Sequence, residues 1–337
     1  MKIKTALISV YDKKNIKSIL IILKKFNVNL ISSGGTYKQI KKLGFKCQEI
    51  SKFTNSSEIL DGRVKTLHPK IYAGILSKRE NKLHKKQLKK NNYKEIDLVV
   101  TNFYPFEKVL IKKKSHSKII ENIDVGGPAM VRAAAKNFNY VTVVTNPEKY
   151  EELINELISN QGSTRLKFRQ KMSREAFAET GYYDSLISNY FNNLTNNHFT
   201  NKKLFYGKLI ENLRYGENPH QKGAIYSWGK NFNLKIISGK KLSYNNYNDI
   251  LSAIEISKSL PINIGTVIVK HTNPCGVSIN KNKIESFENA FSCDPISAFG
   301  GIVSFNFKLN KKIALRLNKI FFEAVVANGF DNDAIKV

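Results

Sequence analysis

The sequence predicts an α/β protein of two domains, the first of them built around a parallel sheet. Short apolar runs with the length of buried strands alternate with segments in which apolar residues recur at helical spacing. The first run, Thr5–Val10, precedes helical spacing over 16–26, and a second run at 28–32 ends in a glycine-rich turn. This alternation favours a parallel sheet with helices on both faces. A length of 337 residues fits about two domains.

Strands and helices continue to alternate up to about residue 145, after which consecutive helices and a linker are predicted. Further strands are predicted at 45–49, 97–102 and 140–145. Further helices are predicted at 37–43, 148–159, 164–180 and 182–194. The segment TNNHFTNKK has no periodicity and is interpreted as a linker, after which a mixed α/β pattern resumes with a strand at 266–269. We therefore expect a first domain at 1–194, a linker at 195–203 and a second domain at 204–337.

Composition excludes several classes of protein. Apolar residues make up 42% of the chain and charged residues 24%, which is typical of a soluble globular protein and not of a disordered chain. The longest aliphatic run, at 19–23, is far shorter than the roughly 20 residues of a membrane-spanning helix. A strand and a charged turn follow the basic start, so we expect no secretory signal. Three widely spaced cysteines fit a reducing compartment, and we expect a cytoplasmic protein.

The formal net charge of +28 raises the alternative of a nucleic-acid partner. Only eight of the 55 basic residues are arginine, the residue that proteins favour for hydrogen bonds to nucleic-acid bases and phosphates. Lysine, asparagine and isoleucine are abundant together and share A/T-rich codons, so base composition explains the excess of lysine. We therefore expect no specific nucleic-acid partner and no membrane partner, and a general attraction for small anions.

One turn has the composition of a phosphate site. Ser33, Gly34, Gly35 and Thr36 lie where a strand ends and a helix begins. Paired glycines let backbone N–H groups approach an anion, the helix N-terminus adds partial positive charge, and the hydroxyl groups add donors. An ordinary tight turn with a threonine N-cap is the alternative interpretation.

Three further polar clusters follow in the first half of the chain. They are DGRVKTLHP at 61–69, NFYPF at 102–106 after a predicted strand, and IDVGGP at 123–128 before a predicted helix. Because the carboxyl ends of parallel strands share one edge of a sheet, these clusters predict a common pocket. Candidate site residues in and after them are Arg63, Lys65, Thr66, Asn102, Tyr104, Asp124, Gly126, Gly127 and Lys136.

In the second half, Lys270 and His271 end a predicted strand before Asn-Pro-Cys-Gly, a place suited to general acid–base chemistry. The segment RYGENPH at 214–220 is dense in hydrogen-bond donors. The sequence contains no complete dinucleotide-binding, nucleophile-elbow or phosphate-loop motif. The segment that is similar to the zinc-deaminase motif lacks the glutamate and the second cysteine of that motif. We expect no transition metal.

These clusters, in this order, resemble the family of bifunctional purine-biosynthesis enzymes with phosphoribosylaminoimidazolecarboxamide formyltransferase and IMP cyclohydrolase activities. The resemblance runs from ISVYDK at 8–13 to about residue 302. It includes SGGT, DGRVKTLHP, NFYPF, IDVGGP, AAAKN, RYGENPHQ, SYNN, VKHTNPCG and DPISAFGG. So many long motifs in one order are a specific signal.

The resemblance implies a methylglyoxal-synthase-like domain that closes the purine ring, then the first part of a cytidine-deaminase-like domain without zinc. The second module moves a formyl group from 10-formyltetrahydrofolate, a co-substrate, to 5-aminoimidazole-4-carboxamide ribonucleotide. The first converts the product to IMP. The family also implies homodimers, small-molecule ribonucleotide and folate substrates, and no tightly bound cofactor.

The resemblance assigns roles to particular residues. For ring closure it implies catalytic Lys65, Tyr104, Asp124 and Lys136, and substrate-binding Lys13, Ser33, Gly34, Gly35, Thr36, Arg63, Thr66, Asn102, Gly126 and Gly127. For formyl transfer it implies catalytic Lys270 and His271, and substrate-binding Arg214, Tyr215, Asn246 and Asp249.

The family continues well past the position of Val337, so we expect an incomplete formyltransferase domain and doubtful formyl transfer in this chain. A regulatory module that binds a nucleotide or phosphate without catalysis is the alternative. Such a module needs the phosphate turn, but it does not need Lys65, Tyr104, Asp124 and Lys136 together.

Overall fold

A computed structural model describes residues 1–195, 199–228 and 234–337. The chain divides into two compact units, Met1–Tyr206 and Gly207–Val337. Residues 196–198 of the expected linker lie outside the described residues, whereas Leu204 accepts a hydrogen bond from Asn189 within the first unit.

The first unit contains a five-stranded sheet in which every pairing is parallel. Its strands are β1 Thr5–Val10, β2 Asn29–Ser32, β3 Gln48–Glu49, β4 Leu98–Asn102 and β5 Thr142–Val144. Their spatial order is β3-β2-β1-β4-β5. Almost every residue of β1, β4 and β5 is buried, as expected of parallel strands that are covered on both faces.

Helices connect and cover these strands. They are α1 Ile16–Lys25, α2 Gly34–Lys42, α3 Ile50–Thr54, α4 Pro69–Leu76, α5 Lys82–Lys90, α6 Phe106–Ile111, α7 His116–Glu121, α8 Gly126–Lys136, α9 Tyr150–Ser159 and α10 Leu166–Asn192. The β1–α1–β2 and β4–α8–β5 crossovers move in opposite directions along the sheet, so right-handed connections put α1 and α8 on opposite faces. Helix α1 packs against α9, and α8 packs against α4 and α10.

The prediction of two separate helices at 164–180 and 182–194 is wrong. The structure has a single 27-residue helix, α10, that passes through Gly181. Its buried residues include Phe168, Met172 and Ala176 in the sheet core and Tyr183 and Tyr190 in a second cluster. Packing along most of its length offsets the cost of one glycine, which is roughly 1 kcal/mol in a helix interior.

The second unit holds a four-stranded mixed sheet and a separate two-stranded ribbon. The sheet has the order β11-β10-β8-β9, and the ribbon pairs β6 with β7 in antiparallel fashion. The strands are β6 Lys208–Asn212, β7 Ala224–Ser227, β8 Gly265–Lys270, β9 Asn273–Ile279, β10 Ile302–Phe305 and β11 Ala324–Ala327. The helices are α11 Tyr244–Ser259, α12 Lys283–Cys293, α13 Pro295–Ala298, α14 Lys311–Leu317 and α15 Asn332–Lys336.

Alternate residues of the central strands enter two different cores of this unit. Ile268 and Phe305 pack into a cluster with Phe287 of α12, whereas Val267 and Ile302 pack into one with Ile250 of α11. Alternation of this kind is typical of a sheet with helices on both faces. Within the described residues, no helix of either unit is both long enough and apolar enough to cross a membrane.

Candidate active site

The strand order of the first unit reverses at β1, and a cavity lies at this reversal. In open α/β sheets, ligands bind beyond the carboxyl ends of the strands at such a point. The cavity has a volume of about 620 Å³. The predicted site residues that line it are Lys13, Ser33, Gly35, Thr36, Arg63, Lys65, Thr66, Asn102, Tyr104, Asp124, Gly126 and Gly127.

The loop between β2 and α2 forms one end of this cavity. Gly34 has a φ of +51°, a left-handed conformation that glycine adopts without steric cost. A Cβ on Gly34 would lie 3.1 Å from Nζ of Lys65, and one on Gly35 would lie 3.9 Å from Nζ of Lys13. Two ammonium groups therefore lie beside the glycine pair, which suits this end of the cavity to a phosphate. Gly34 itself lines a smaller cavity of about 180 Å³ that shares Lys65 with the larger one.

Thr36 uses its hydroxyl within the protein, and its contact with a substrate stays a prediction. Its buried hydroxyl donates to the carbonyl oxygen of Val10 at 2.9 Å and accepts from the N–H of Val10 at 3.0 Å. A hydroxyl has a single proton, so this side chain ties the loop to β1 and leaves no donor for a phosphate. The hydroxyl oxygen of Ser33 instead lies 3.3 Å from that of Ser9, a cavity residue that the sequence analysis did not select.

The side-chain amide of Asn102 is also used within the protein. Its Oδ1 accepts from the N–H groups of Tyr11 at 2.7 Å and Asp12 at 2.9 Å, and its Nδ2 donates to the carbonyl oxygen of Asp12 at 2.9 Å. These three bonds join the end of β4 to the loop after β1, directly beside Lys13. Asn102 therefore shapes the cavity by fixing this loop.

Asp124 is fixed at the N-terminus of α8. Its Oδ1 accepts from the N–H of Gly127 at 2.8 Å, and its own N–H donates to the hydroxyl of Tyr183 on α10 at 2.8 Å. That hydroxyl donates in turn to the carbonyl oxygen of Asn122 at 3.0 Å. The long helix thus holds the loop that carries Asp124, a contact between distant segments that no local motif predicts.

The environment of the cavity shifts the pKa of two predicted catalytic groups. Burial raises the pKa of the Asp124 carboxyl above its ordinary value, although the N–H groups of Gly127 and Tyr104 and the charge of Lys65 act in the opposite direction. Burial also raises the pKa of the Tyr104 phenol, and the negative charge of Asp124 adds to this shift. Asp124 is therefore a better proton acceptor than a free aspartate, and Tyr104 is a protonated donor at neutral pH.

Two acidic residues outside the predicted set contact the cations of the RVKT segment. Glu121, at the end of α7, forms an ion pair with Arg63, and both side chains line the cavity. Oε1 of Glu58 lies 3.9 Å from Nζ of Lys65. The sequence signal for Glu121 is its place two residues before the IDVGGP motif, whereas nothing in the sequence singles out Glu58.

Lys136 is not brought into this cavity. It is exposed in the last turn of α8, whose first turn carries Gly126 and Gly127. Lys136 lies nine positions after Gly127 in the helix, a distance of about 14 Å along the axis. Within this unit, its catalytic role therefore stays a prediction without geometric support.

The predicted residues of the second unit lie around one hairpin and one helix. His271 and Thr272 form the turn between β8 and β9, and Asp249 of α11 accepts from both of their N–H groups. Nζ of Lys270 donates to the carbonyl oxygen of Phe299 at 2.7 Å.

The other predicted binding residues of this unit have local partners. Oδ1 of Asn246 accepts from the N–H and the hydroxyl of Ser243, in a capping box that begins α11. The guanidinium of Arg214 lies 4.8 Å from the ring centre of Tyr215 and donates to its hydroxyl at 3.0 Å. Among residues 1–195, 199–228 and 234–337, no group of three or more His, Cys, Asp or Glu side chains is placed to hold a metal ion.

The parallel sheet and the cavity at its switch point belong to an MGS-like domain, because a family model with that description matches residues 15–129. A second model, described as the AICARFT/IMPCHase bienzyme, matches residues 134–337, which is more than half of the chain. The chain belongs to the AICARFT/IMPCHase bienzyme family. The resemblance and the fold class predicted from the sequence are confirmed.

Individual relatives agree with this assignment. The bifunctional purine biosynthesis protein PurH of Rhizobium johnstonii is 42% identical over 99% of this chain and 63% of its own length. The protein of the same name from Elusimicrobium minutum is 42% identical over 100% of this chain and 65% of its own length. The protein of the same name from Caldicellulosiruptor bescii is 44% identical over 99% of this chain and 66% of its own length. The chain thus spans a little less than two thirds of the length of these curated relatives. A crystal structure of ForH is 29% identical, covers 56% of this chain and 99% of its own, and has a TM-score of 0.48.

Proposed function

We propose that the first unit is an IMP cyclohydrolase, which closes the purine ring of formylated 5-aminoimidazole-4-carboxamide ribonucleotide. The observation that carries this proposal is the convergence of Lys65, Tyr104 and Asp124 on the cavity that the 33–36 loop closes at one end. A cation, a phenol and a carboxylate beside a phosphate site are what this reaction needs.

Substrate binding follows from the geometry of the loop. The 5′-phosphate binds the glycine pair, where the backbone N–H groups and the ammonium group of Lys13 supply positive charge. The imidazole then extends toward the N-terminus of α8. Both reacting groups are on one molecule, so a fixed orientation supplies much of the rate enhancement.

Ring closure forms a bond between the carboxamide nitrogen and the formyl carbon, and then releases the formyl oxygen as water. Asp124, with its raised pKa, accepts the proton of the attacking nitrogen. Lys65 stabilises the negative charge that develops on the formyl oxygen. The oxyanion takes the carboxamide proton from Asp124 and becomes a hydroxyl group, and Tyr104, protonated at neutral pH, donates the second proton with which this group leaves as water. The ring C=N bond forms as the formamide nitrogen gives up its proton, which restores the Tyr104 phenol. The backbone N–H groups that donate hydrogen bonds to the Asp124 carboxylate hold it in place.

The test is ring closure followed by absorbance, with the full chain and the formylated ribonucleotide. We expect turnover by the wild type. We expect a loss of roughly a hundredfold or more in kcat for Lys65→Ala, since positioned acid–base and charge-stabilising groups contribute that much. Lys13→Ala should instead raise KM with a smaller change in kcat, because Lys13 contacts only the phosphate end. A folded wild type that binds the nucleotide without turnover would support the non-catalytic binding module and overturn the proposal.

We propose that the second unit contributes to formyl transfer from 10-formyltetrahydrofolate to 5-aminoimidazole-4-carboxamide ribonucleotide. The aromatic amine is a weak nucleophile, so a base must remove its proton as the bond to the formyl carbon forms. We assign this step to His271, which lies at an exposed hairpin tip, and assistance of the departing folate nitrogen to Lys270 beside it. Arg214 and Tyr215 hold the ribonucleotide. Formation of tetrahydrofolate, measured with both substrates, tests this role, and no product at any enzyme concentration contradicts it for this chain.

The family resemblance supports further parts of this proposal. The protein acts on small-molecule substrates as a homodimer, and it uses the folate as a co-substrate without a tightly bound cofactor. Its three cysteines are free, which fits the reducing cytoplasm. Sedimentation of the purified chain tests the dimer, and a monomer at all concentrations contradicts it.

A further inference from the structure

The turn between β8 and β9 has an unusual backbone. His271 has a φ of +53° and Thr272 a φ of +64°, so both residues of a two-residue hairpin loop are left-handed. Such turns favour asparagine and glycine, and a β-branched residue with a positive φ is a steric outlier. Strain of this kind persists only where surrounding contacts hold it.

Asp249 supplies those contacts from another element. Its Oδ1 accepts from the N–H of Thr272 at 2.7 Å, and its Oδ2 accepts from the N–H of His271 at 3.2 Å. Asp249 lies in the N-terminal half of α11, which packs against β8. Hydrogen bonds to an ionised acceptor are stronger than neutral ones, so a single carboxylate pins both strained residues to the helix.

The tip of the hairpin adds a second set of bonds around the same residue. The carbonyl oxygen of His271 accepts from the hydroxyl of Thr272 at 2.6 Å and from Nδ2 of Asn273 at 2.9 Å. The backbone of His271 is therefore hydrogen-bonded at its N–H and at its carbonyl oxygen, although the residue as a whole is exposed. The imidazole is presented to solvent from a fixed backbone.

We propose that Asp249 is a positioning residue that holds the His271–Thr272 turn and thereby sets the direction of the His271 imidazole. This differs from a direct contact with the ribonucleotide, because each carboxylate oxygen accepts an N–H group of the turn. The inference rests on the proposed role of His271 in formyl transfer for its catalytic consequence. The structural part, a strained turn held by one carboxylate, is tested separately.

The experiment compares amide hydrogen exchange in the 337-residue chain for the wild type, Asp249→Ala, Asp249→Asn and Glu255→Ala. Glu255 is an exposed carboxylate on the same helix and is the matched control. We expect the His271 and Thr272 amides to exchange roughly tenfold to a hundredfold faster in Asp249→Ala, since alanine removes the acceptor of both bonds. Asp249→Asn, which keeps one acceptor oxygen, should fall between, and Glu255→Ala should match the wild type.

A second-site variant separates positioning from general damage. Glycine adopts a positive φ without strain, so Thr272→Gly in the Asp249→Ala background should restore most of the kcat of formyl transfer that Asp249→Ala loses, while the His271 amide, which still lacks its acceptor, continues to exchange fast. Exchange in β8 must stay at the wild-type rate in every variant. A raised KM for the ribonucleotide that Thr272→Gly does not correct would show direct substrate contact and overturn the proposal.

Unchanged exchange of both amides in Asp249→Ala overturns the role of Asp249, whatever the activity. If no variant, including the wild type, transfers the formyl group, the proposed function of the second unit fails, and the exchange rates alone decide whether Asp249 holds the turn.

Discussion

The hydroxyl oxygen of Thr66 occupies the space where a side chain on Gly126 would begin, since a Cβ there would lie 2.3 Å away. Thr66 is buried and belongs to the same short segment as Arg63 and Lys65, and Gly126 opens α8 beside Asp124. The contact therefore sets how closely the cationic segment approaches the helix N-terminus. Only glycine permits this approach at residue 126.

Gly126→Ala should force Thr66 and its neighbours away from α8. We expect a loss of about 1–3 kcal/mol in the free energy of unfolding, the usual cost of overpacking, and a higher KM in ring closure. Chemical denaturation and steady-state kinetics measure the two effects. The matched control is Gly181→Ala in α10, where a Cβ meets open space among the described residues, so stability should rise and kinetics stay unchanged. Equal behaviour of the two variants would contradict the prediction.

Much of this architecture is predictable because the relevant physics is local. The predicted strand Thr5–Val10 matches β1, and 97–102 differs from β4 by one residue, since buried parallel strands are continuous apolar runs. The pocket is predictable for the same reason, because parallel strands bring the loops after β1, β2 and β4 to one edge. Strand β3 contains only the last two residues of the predicted strand at 45–49, because periodicity does not define the ends of so short an element.

The parts that the sequence does not predict depend on contacts between distant segments. The hydroxyl of Thr36 and the amide of Asn102 suit a phosphate by residue type, yet β1 and its loop use their hydrogen-bonding atoms. Glu58 and Glu121 are partners of the cations only in three dimensions. Lys136 lies in a motif that belongs to the site, but the length of α8 carries it away from the cavity.

The ion pair between Arg63 and Glu121 should compete with an anionic substrate for the guanidinium. The side chains are 67% and 58% exposed, so the pair itself contributes little to stability. Glu121→Gln frees Arg63, and we expect KM for the formylated ribonucleotide to fall by roughly two- to fivefold at low salt, the range that an exposed ion pair of up to about 1 kcal/mol allows. The gain should shrink as ionic strength rises.

The control for this effect is Glu288→Gln, which breaks the comparable Arg316–Glu288 pair of the second unit. It should leave ring closure unchanged at every salt concentration. A higher KM for Glu121→Gln would show instead that Glu121 orients Arg63 for binding.

The buried charge of Asp124, which we propose for proton transfer, should lower the free energy of unfolding at neutral pH. Burial raises its pKa in the folded state above the ordinary 3.8, so the unfolded state releases this proton at lower pH. Stability therefore falls as pH rises through the folded-state pKa, and the cost of the buried charge is complete above it. Asp124→Asn keeps an acceptor for the N–H of Gly127 and removes that charge, so we expect higher stability than the wild type at pH 7.5.

Denaturation of both proteins across pH measures this difference. The advantage of Asp124→Asn should vanish as pH falls below 3.8, where the carboxyl is protonated in both states, while ring closure is lost at every pH. Asp184→Asn, at an exposed position of α10, should show neither change. A less stable Asp124→Asn at pH 7.5 would mean that the attraction to Lys65 outweighs burial.

Gly34 and Gly44 both have a backbone conformation that disfavours alanine, but only Gly34 lies beside a predicted catalytic residue. Both have a positive φ, +51° and +81°, so alanine should cost about 1–2 kcal/mol of stability at either position. A Cβ on Gly34 also meets Nζ of Lys65 at 3.1 Å, whereas a Cβ on Gly44 meets no described atom within 4 Å. Gly34→Ala should therefore move the lysine and lower kcat/KM for ring closure at least tenfold, and Gly44→Ala should leave kcat/KM unchanged at the same loss of stability. Equal kinetic losses in the two variants would show that loop strain, and not the contact between Gly34 and Lys65, limits the reaction.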